Sequence, residues 1–409
     1  MLGSALRDGS ARRQCVFEVF ARRLPDGRRY GVVGGTARVV DAIRDFTFDA
    51  ETVQFLRDGD VVDDATADYL ARYRFGGDVV GYPEGELYFP FSPVLTVAAS
   101  FAEAVVLETV ILSVLNHDTA VASAAARMVS AAGERPIIEM GSRRTHEQAA
   151  VASARAAYLA GFASTSNLAA AQRYGVPTAG TAAHAFTLLH DDERAAFAAQ
   201  VESLGVSTTL LVDTYDITRG IELAIEVAGP KLGAIRIDSG DLAVMARHSR
   251  EQLDGLGATD TRIVVSGDLD EFAIAALAAA PVDAYGVGTS VVTGSGEPTA
   301  NMVYKLVEVD GHPVAKRSEN KQSRGGRKTA LRAHKPSGTA LEEIVVSGTA
   351  QPGPGERALQ IPLITAGEPS GDLPTLEHSR TRLRAATITL PWDGLKLSRG
   401  EPAIPTRFA

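Results

Sequence analysis

Residues 136–290 predict an α/β fold built on parallel strands. Three observations carry this prediction: roughly seven short apolar runs recur there, each closes in a Gly/polar cluster, and most lead into an Ala- or Leu-rich stretch of helical spacing. Alternating strands and helices imply parallel pairing, because a parallel return needs a crossover long enough to hold a helix. The 409-residue length leaves room for a second, smaller unit outside this segment.

Ahead of that segment, short apolar runs alternate with turns. Val16–Phe20 reads as a strand, Leu24-Pro25-Asp26-Gly27 as a turn and Tyr30–Val33 as a second strand. Ala37–Phe46 and Ala65–Tyr73 read as helices, and Val79–Tyr82 and Leu87–Phe89 as further strands. From Ala98 to Met128 apolar residues recur at helical spacing, which predicts a pair of core helices interrupted at Asn116-His117-Asp118.

The repeating rhythm then begins. Ile137–Met140 ends in Gly141-Ser142-Arg143-Arg144, and Tyr158–Phe162 in Ala163-Ser164-Thr165-Ser166-Asn167. Val176–Ala179 ends in Gly180-Thr181-Ala182-Ala183-His184, and Leu210–Val212 in Asp213-Thr214-Tyr215-Asp216. Ala234–Ile237 ends in Asp238-Ser239-Gly240-Asp241, Ile263–Val265 in Ser266-Gly267-Asp268, and Ala284–Val287 in Gly288-Thr289-Ser290. After Ser290 the rhythm stops. Val303–Val307 and Val314–Lys316 suggest a hairpin around Asp310-Gly311. A basic stretch follows, holding Lys316, Arg317, Lys321, Arg324, Arg327 and Lys328, and the short strands Glu342–Val346 and Glu356–Ile361 make a β-rich tail.

A formal net charge of −9 argues against a nucleic-acid-binding surface as the main function. The single cysteine, Cys15, excludes an internal disulfide and any multi-cysteine zinc site. No stretch reaches the apolar length of a membrane helix, and the first residues lack the apolar core of a secretory signal. Neither a Walker phosphate loop nor a Gly-x-Gly-x-x-Gly opening a Rossmann unit is present. The paired-acid strand of the commoner phosphoribosyltransferase fold is missing too.

Where parallel strands end, loops converge on one face, and the chemistry of such barrels sits there. Arg143, Arg144 and Arg236 lie at those ends, and a guanidinium fork in a cleft matches a carboxylate or phosphate. Gly286-Val287-Gly288-Thr289-Ser290 is a turn able to hold phosphate with backbone N–H groups. Asp213, Asp216, Asp238, Asp241 and Asp268 come from three loops and suit Mg²⁺ or ribose hydroxyls. Together these fit a phosphosugar substrate. Any one Ser, Thr or Asp has a structural alternative as the N-cap of the next helix. His184 carries both readings, structural near a helix start and functional after the Gly180-Thr181 turn.

At these residues the chain closely resembles the nicotinate phosphoribosyltransferase family, within the type II phosphoribosyltransferases. The matching segments are Glu139–Arg144, Gly161–Asn167, Gly175–His184, Asp213–Asp216, Arg236–Leu242 and Gly286–Ser290, in order, within a likeness covering about residues 14 to 330. The resemblance implies an irregular seven-stranded α/β barrel over residues 111–300. A smaller α/β domain would form from residues 1–110 and the returning β-rich region 301–409. It also implies a cytoplasmic homodimer whose active sites are completed at the subunit interface. The reaction implied is formation of nicotinate mononucleotide and pyrophosphate from nicotinate and phosphoribosyl pyrophosphate, with Mg²⁺ and with ATP as a co-substrate.

By the same resemblance, His184 is transiently phosphorylated by ATP, Thr181 and Arg236 lie at the nicotinate site, and Thr289 binds phosphoribosyl pyrophosphate. Arg143 stacks on the pyridine ring and approaches pyrophosphate. Gly267, Asp268 and Gly288 join the substrate-binding set, and Asp213 and Asp238 hold the metal shell or ribose hydroxyls. Family members usually begin with Thr-Asp-x-Tyr-x-x-Thr-Met, whose tyrosine stacks on nicotinate; Met1 falls at that methionine, so the start lies downstream of the tyrosine or the tyrosine is lost. Nicotinamide phosphoribosyltransferases carry an aspartate where this chain has Ser166, and Ser166 can donate to a carboxylate that an aspartate would repel. Quinolinate phosphoribosyltransferase and a catalytically silent phosphosugar-binding homologue are the more distant alternatives.

Overall fold

The computed structural model describes residues 1–316, 323–371 and 373–409. The chain is mixed α/β and divides into two compact units, Ala124–Gly296 and a second made from Met1–Ser123 with Glu297–Ala409.

The unit Ala124–Gly296 is built on a six-stranded parallel sheet. Its strands are β1 (Ile137–Glu139), β2 (Ser164–Thr165), β3 (Thr209–Leu211), β4 (Ala234–Ile237), β5 (Arg262–Ser266) and β6 (Ala284–Val287). They lie in the order β2-β1-β6-β5-β4-β3, with every neighbouring pair parallel. The register sets Ile137 beside Tyr285, Ala284 beside Val264, and Ile235 beside both Ile263 and Leu210. Ile137, Leu210, Ile235, Ile237, Ile263, Val265, Tyr285 and Val287 are all buried, as strands covered on both faces require. The main covering helices are α1 (Glu147–Leu159), α2 (Leu168–Tyr174), α3 (His184–Leu189), α4 (Glu193–Leu204), α5 (Ile217–Ala228) and α6 (Leu242–Gly255).

Two of the seven expected strands differ. Tyr158-Leu159 is the last turn of α1, and the strand begins only at Ser164. The Ala-rich run before it has the helix propensity to extend that far, and Gly161, at φ 119°, turns the chain after the helix end. Val176–Ala179 makes one parallel bridge, Thr165 to Thr178, rather than a full strand. Around that bridge, the Thr165 N–H donates to Pro177 O at 2.9 Å and the Ala179 N–H to Thr165 O at 3.0 Å.

The other unit holds a seven-stranded antiparallel sheet, ordered His312–Pro313, Met302–Val309, Gln14–Ala21, Leu95–Ser100, Asp78–Gly81, Ile361–Thr365, Glu368–Pro369. A four-stranded sheet is ordered Glu356–Ala358, Lys328–His334, Ala340–Ser347, Thr406–Phe408. Leu95–Ser100 is a central strand, and its last three residues, Ala98–Ser100, fall in the run read as helical; Ala50–Asp58 is a helix that the apolar pattern did not single out. Asn116-His117-Asp118 does not break its helix, which runs from Glu108 to Ala132. Its polar groups have partners instead: Asn116 exchanges two bonds with the Met302 backbone, and Asp118 pairs with Arg38 at 2.7 Å.

From the basic stretch, Lys328 is buried against Glu18 at 2.9 Å, while Arg317 and Lys321 lie outside the described residues. A further ion-pair network is wholly buried, with Arg332 donating to Glu86 and Glu343. Among the described residues no helix is long and apolar enough to cross a membrane.

Candidate active site

The sheet brings its C-terminal strand ends to one edge, and the ends of β3, β4 and β5 share polar groups with one another. Arg236 stands next to last on β4, and Ser266 ends β5 beside it. The Arg236 Nε donates to Ser266 Oγ at 2.8 Å and Nη1 donates to Thr181 Oγ1 at 2.6 Å. Nη2 pairs with Asp238 Oδ1 at 3.1 Å, and that oxygen also accepts the Ser266 hydroxyl at 2.6 Å. A guanidinium has five N–H donors, so this arrangement leaves two, one on each terminal nitrogen, for an outside acceptor. The Arg236 side chain is 12% exposed, which fixes its fork yet keeps an edge open.

Asp213, following β3, forms the next link. Its Oδ2 accepts the Asp238 N–H and the Ser239 hydroxyl, both at 2.8 Å. Its Oδ1 is buried without a hydrogen-bond donor among the described residues and lies 3.9 Å from His184 Nε2. The His184 Nδ1 is 3.1 Å from Thr214 Oγ1, which holds the ring in one orientation. His184 is the first residue of α3 and makes no side-chain cap there, so the capping alternative does not describe it. It does describe Asp216 and Asp241, whose carboxylates accept the N–H groups of Arg219 and Val244 as helix N-caps.

The remaining predicted residues line the same strand ends without joining this network. Arg143 is exposed in the turn after β1, and Ser166 is exposed after β2 with its N–H bonded to Glu139 O at 2.8 Å. Gly267 and Asp268 follow β5 with positive φ angles of 109° and 41°. A Cβ on Gly267 would meet Asp238 O at 2.7 Å, so only glycine lets the β5 turn approach the Asp238 loop. Gly288 and the exposed Thr289 follow β6, where Thr289 opens a short helix, Thr289–Val292.

Three participants escaped the sequence reading. Ser266 couples Arg236 to Asp238, and its only signal was a hydroxyl closing an apolar run. Glu139, on β1, accepts the Gly141 N–H and the Thr165 hydroxyl, each at 2.5 Å. Glu193, at the start of α4, is buried with one carboxylate oxygen lacking a hydrogen-bond donor among the described residues. Burial first, and then the charges of Asp213 and Asp216, push its carboxyl up to about 7.

Among the described residues no three His, Cys, Asp or Glu side chains stand close enough to hold a metal by themselves. Asp238 is engaged by Arg236 and Ser266, while Asp213 keeps one undonated oxygen. That set fits Mg²⁺ only in its common form, carried on substrate phosphates with one or two protein carboxylates and several waters.

Residues 1–116 match the nicotinate phosphoribosyltransferase N-terminal domain model and residues 136–342 the nicotinate phosphoribosyltransferase family model. Nicotinate phosphoribosyltransferase pncB1 of Mycobacterium tuberculosis is 64% identical over 417 residues, spanning 100% of this chain and 92% of its own. The human nicotinate phosphoribosyltransferase is 31% identical across 83% of this chain and 76% of its own. The crystal structure of human nicotinic acid phosphoribosyltransferase superposes with a TM-score of 0.85 at 27% identity, covering 100% of this chain and 96% of that one. Family models over most of the length, a relative alike across the whole of this chain and the shared fold place this chain in the nicotinate phosphoribosyltransferase family.

Proposed function

We infer that this protein joins nicotinate to the ribose 5-phosphate group of phosphoribosyl pyrophosphate, releasing pyrophosphate, in NAD salvage. The observation that carries the reading is the pinned Arg236 fork, which keeps two N–H groups for a planar carboxylate beside Thr181. The pyridine nitrogen of nicotinate is already nucleophilic and needs no general base. Departure of pyrophosphate leaves an oxocarbenium-like ribose, so the enzyme's work is positioning and charge stabilisation. Ser166 donates to the carboxylate, Arg143 serves the ring and pyrophosphate, and Gly267, Asp268, Gly288 and Thr289 cradle the phosphoribosyl group. Asp213 and Asp238 would hold the shell of a phosphate-borne Mg²⁺ or the ribose hydroxyls, and the bound metal would supply positive charge for the leaving pyrophosphate.

ATP enters through His184. With Nδ1–H donating to Thr214, the Nε2 lone pair is free to attack the γ-phosphorus of ATP, and ADP leaves. Two further readings belong with this one. The Thr165–Thr178 bridge supports a seventh strand and a closed barrel. Exposed Leu168, Leu188, Leu189 and Tyr215, all next to site loops in the chain, support a homodimer that covers them. The cytoplasm, where phosphoribosyl pyrophosphate and ATP are made, is the setting these substrates require.

The test is a direct product assay with purified protein, Mg²⁺, phosphoribosyl pyrophosphate and nicotinate, with and without ATP. Nicotinate mononucleotide and pyrophosphate are expected in equal amounts. Equal or better turnover of nicotinamide, or of quinolinate with release of CO₂, would overturn the substrate assignment.

A further inference from the structure

Glu139 is fully buried at the end of β1, and no step above uses it. Both of its carboxylate oxygens are committed. Oε1 accepts the Gly141 N–H and Oε2 the Thr165 hydroxyl, each at 2.5 Å. Thr165 Oγ1 accepts the Asn167 N–H in turn, and Asn167 Nδ2 reaches across to Ser142 Oγ, both at 2.9 Å. One carboxylate thus ties the loop after β1, which carries Arg143, to the loop after β2, which carries Ser166.

A third loop closes over the same point. A Cβ on Gly141 would stand 2.2 Å from Val292 Cγ1, 2.8 Å from Glu139 Oε1 and 3.1 Å from Gly288 O. Only a residue without a side chain lets the chain lie flat between the carboxylate and the Thr289–Val292 turn. A carboxylate is the right group for this place because it is acceptor-only: both neighbours must donate to it, which selects one geometry for each loop. The environment is costly for a charge, since burial pushes the Glu139 carboxyl above its usual range while Thr165 and Gly141 pull it down. An apolar residue would fill the space without that cost.

We propose that Glu139 is a positioning residue for phosphoribosyl transfer: it locks the Gly141–Arg144 and Thr165–Asn167 loops to each other and so sets where Arg143 and Ser166 meet the substrates. This rests on the substrate roles given above to Arg143 and Ser166. Steady-state kinetics on the full chain test it, with Glu139→Gln, Arg143→Ala, Ser166→Ala and the two double variants that contain Glu139→Gln. Glu139→Gln keeps the shape but places donors where an acceptor is needed. The KM for nicotinate should rise at least tenfold while kcat stays within threefold.

The decisive reading is the double-mutant cycle. If the lock acts through these residues, each double variant should be no more than about threefold worse than Glu139→Gln alone. Effects that multiply would show a general structural role and overturn the proposal. An unchanged KM in folded Glu139→Gln, with KM raised in Arg143→Ala and Ser166→Ala, would overturn the lock alone. An unchanged KM in those two variants would overturn their substrate roles and the lock with them. Should Glu139→Gln fail to fold, Thr165→Val removes one of the two Glu139 bonds along with the acceptor of the Asn167 N–H, and a threefold or larger rise in KM with the same non-multiplying cycle is expected.

Discussion

Arg236→Ala is the sharpest test of how the site recognises its acid substrate. The substitution removes the fork that now bonds Thr181, Ser266 and Asp238, together with the two N–H groups left over. A hydrogen bond to a charged partner contributes about 1.5–3 kcal/mol. At 1.36 kcal/mol per decade, kcat/KM for nicotinate should fall roughly 10- to 150-fold. Most of the loss should appear in KM, because the carboxylate is bound before and during bond formation alike. The protein should still fold, since the Asp238 side chain stripped of its partner is 32% exposed and can hydrate.

Two comparisons sharpen the reading. Arg236→Lys restores the charge but only as a point of three donors, unable to bond Thr181, Ser266 and a planar carboxylate together, so it should recover less than half of the lost decades. Nicotinamide turnover should barely change in Arg236→Ala, because its amide gains little from a cation, and the preference for the acid should shrink by the same factor. Product formation followed directly for both substrates measures each quantity. A folded Arg236→Ala protein with the parental KM for nicotinate would show that Arg236 only braces the loop ends.

Three other outcomes are expected. Incubation with γ-labelled ATP should leave an acid-labile, base-stable label, and His184→Asn should abolish both label and ATP stimulation while some ATP-independent synthesis persists; full ATP-stimulated turnover in folded His184→Asn would refute the phosphohistidine. Glu193 has a folded pKa of about 7, above its unfolded value, so the fold binds a proton there that the unfolded chain has lost, and stability falls as pH rises from about 4.5 to 7. Glu193→Gln should therefore raise the thermal midpoint by about 2–5 °C at pH 8, where the carboxylate is charged, and hardly at pH 4.5; equal shifts at both pH values would refute this. Lys328→Met leaves the buried Glu18 without its cation and should cost about 3–5 kcal/mol in denaturant unfolding, whereas Glu18→Met combined with Lys328→Met should recover most of it.

How much of this was legible in the sequence depended on whether a signal was local. The strand ends were legible because an apolar run followed by a Gly/polar cluster is a local pattern, so Thr181, His184, Asp213, Arg236 and Asp238 could be gathered on one edge. Their pairing was not, because it depends on strand order. Ser266 meets Arg236 only because β5 lies beside β4, and nothing between residues 236 and 266 states that neighbourhood. Glu139 and Glu193 were hidden for another reason: one acid at a strand end or helix start is what a solvated or capping residue also looks like. Tyr158–Phe162 misled because helix and buried strand both tolerate Tyr-Leu-Ala, and Ala98–Ser100 because a strand running straight into a helix leaves no turn residues at the join.

The site's bonds also form a circuit with a single gap, which bears on how ATP could influence sugar chemistry. Thr181 and His184 share one loop. From Thr181 the circuit runs through Arg236 to Asp238, then through the Asp238 N–H to Asp213 Oδ2, and from Asp213 Oδ1 back toward His184 Nε2. Its last contact, at 3.9 Å, is the loosest, and it falls on a buried Asp213 oxygen that no donor among the described residues holds. A phosphoryl group on Nε2 would bring about −1.5 to −2 charges to that gap. Two unit charges 4 Å apart interact by about 4 kcal/mol at an effective dielectric near 20, so Asp213 could not stay where it is without a cation to answer it. Mg²⁺ carried on substrate phosphates would supply that positive charge on the substrate side of Asp213; without it, Asp213 would be repelled, and the Asp238–Ser239 turn is bonded to it. Either response would reach Arg236 through the Asp238 loop, so under the roles proposed for His184 and Arg236 a charge on His184 would be felt at the nicotinate carboxylate without ATP touching the ribose.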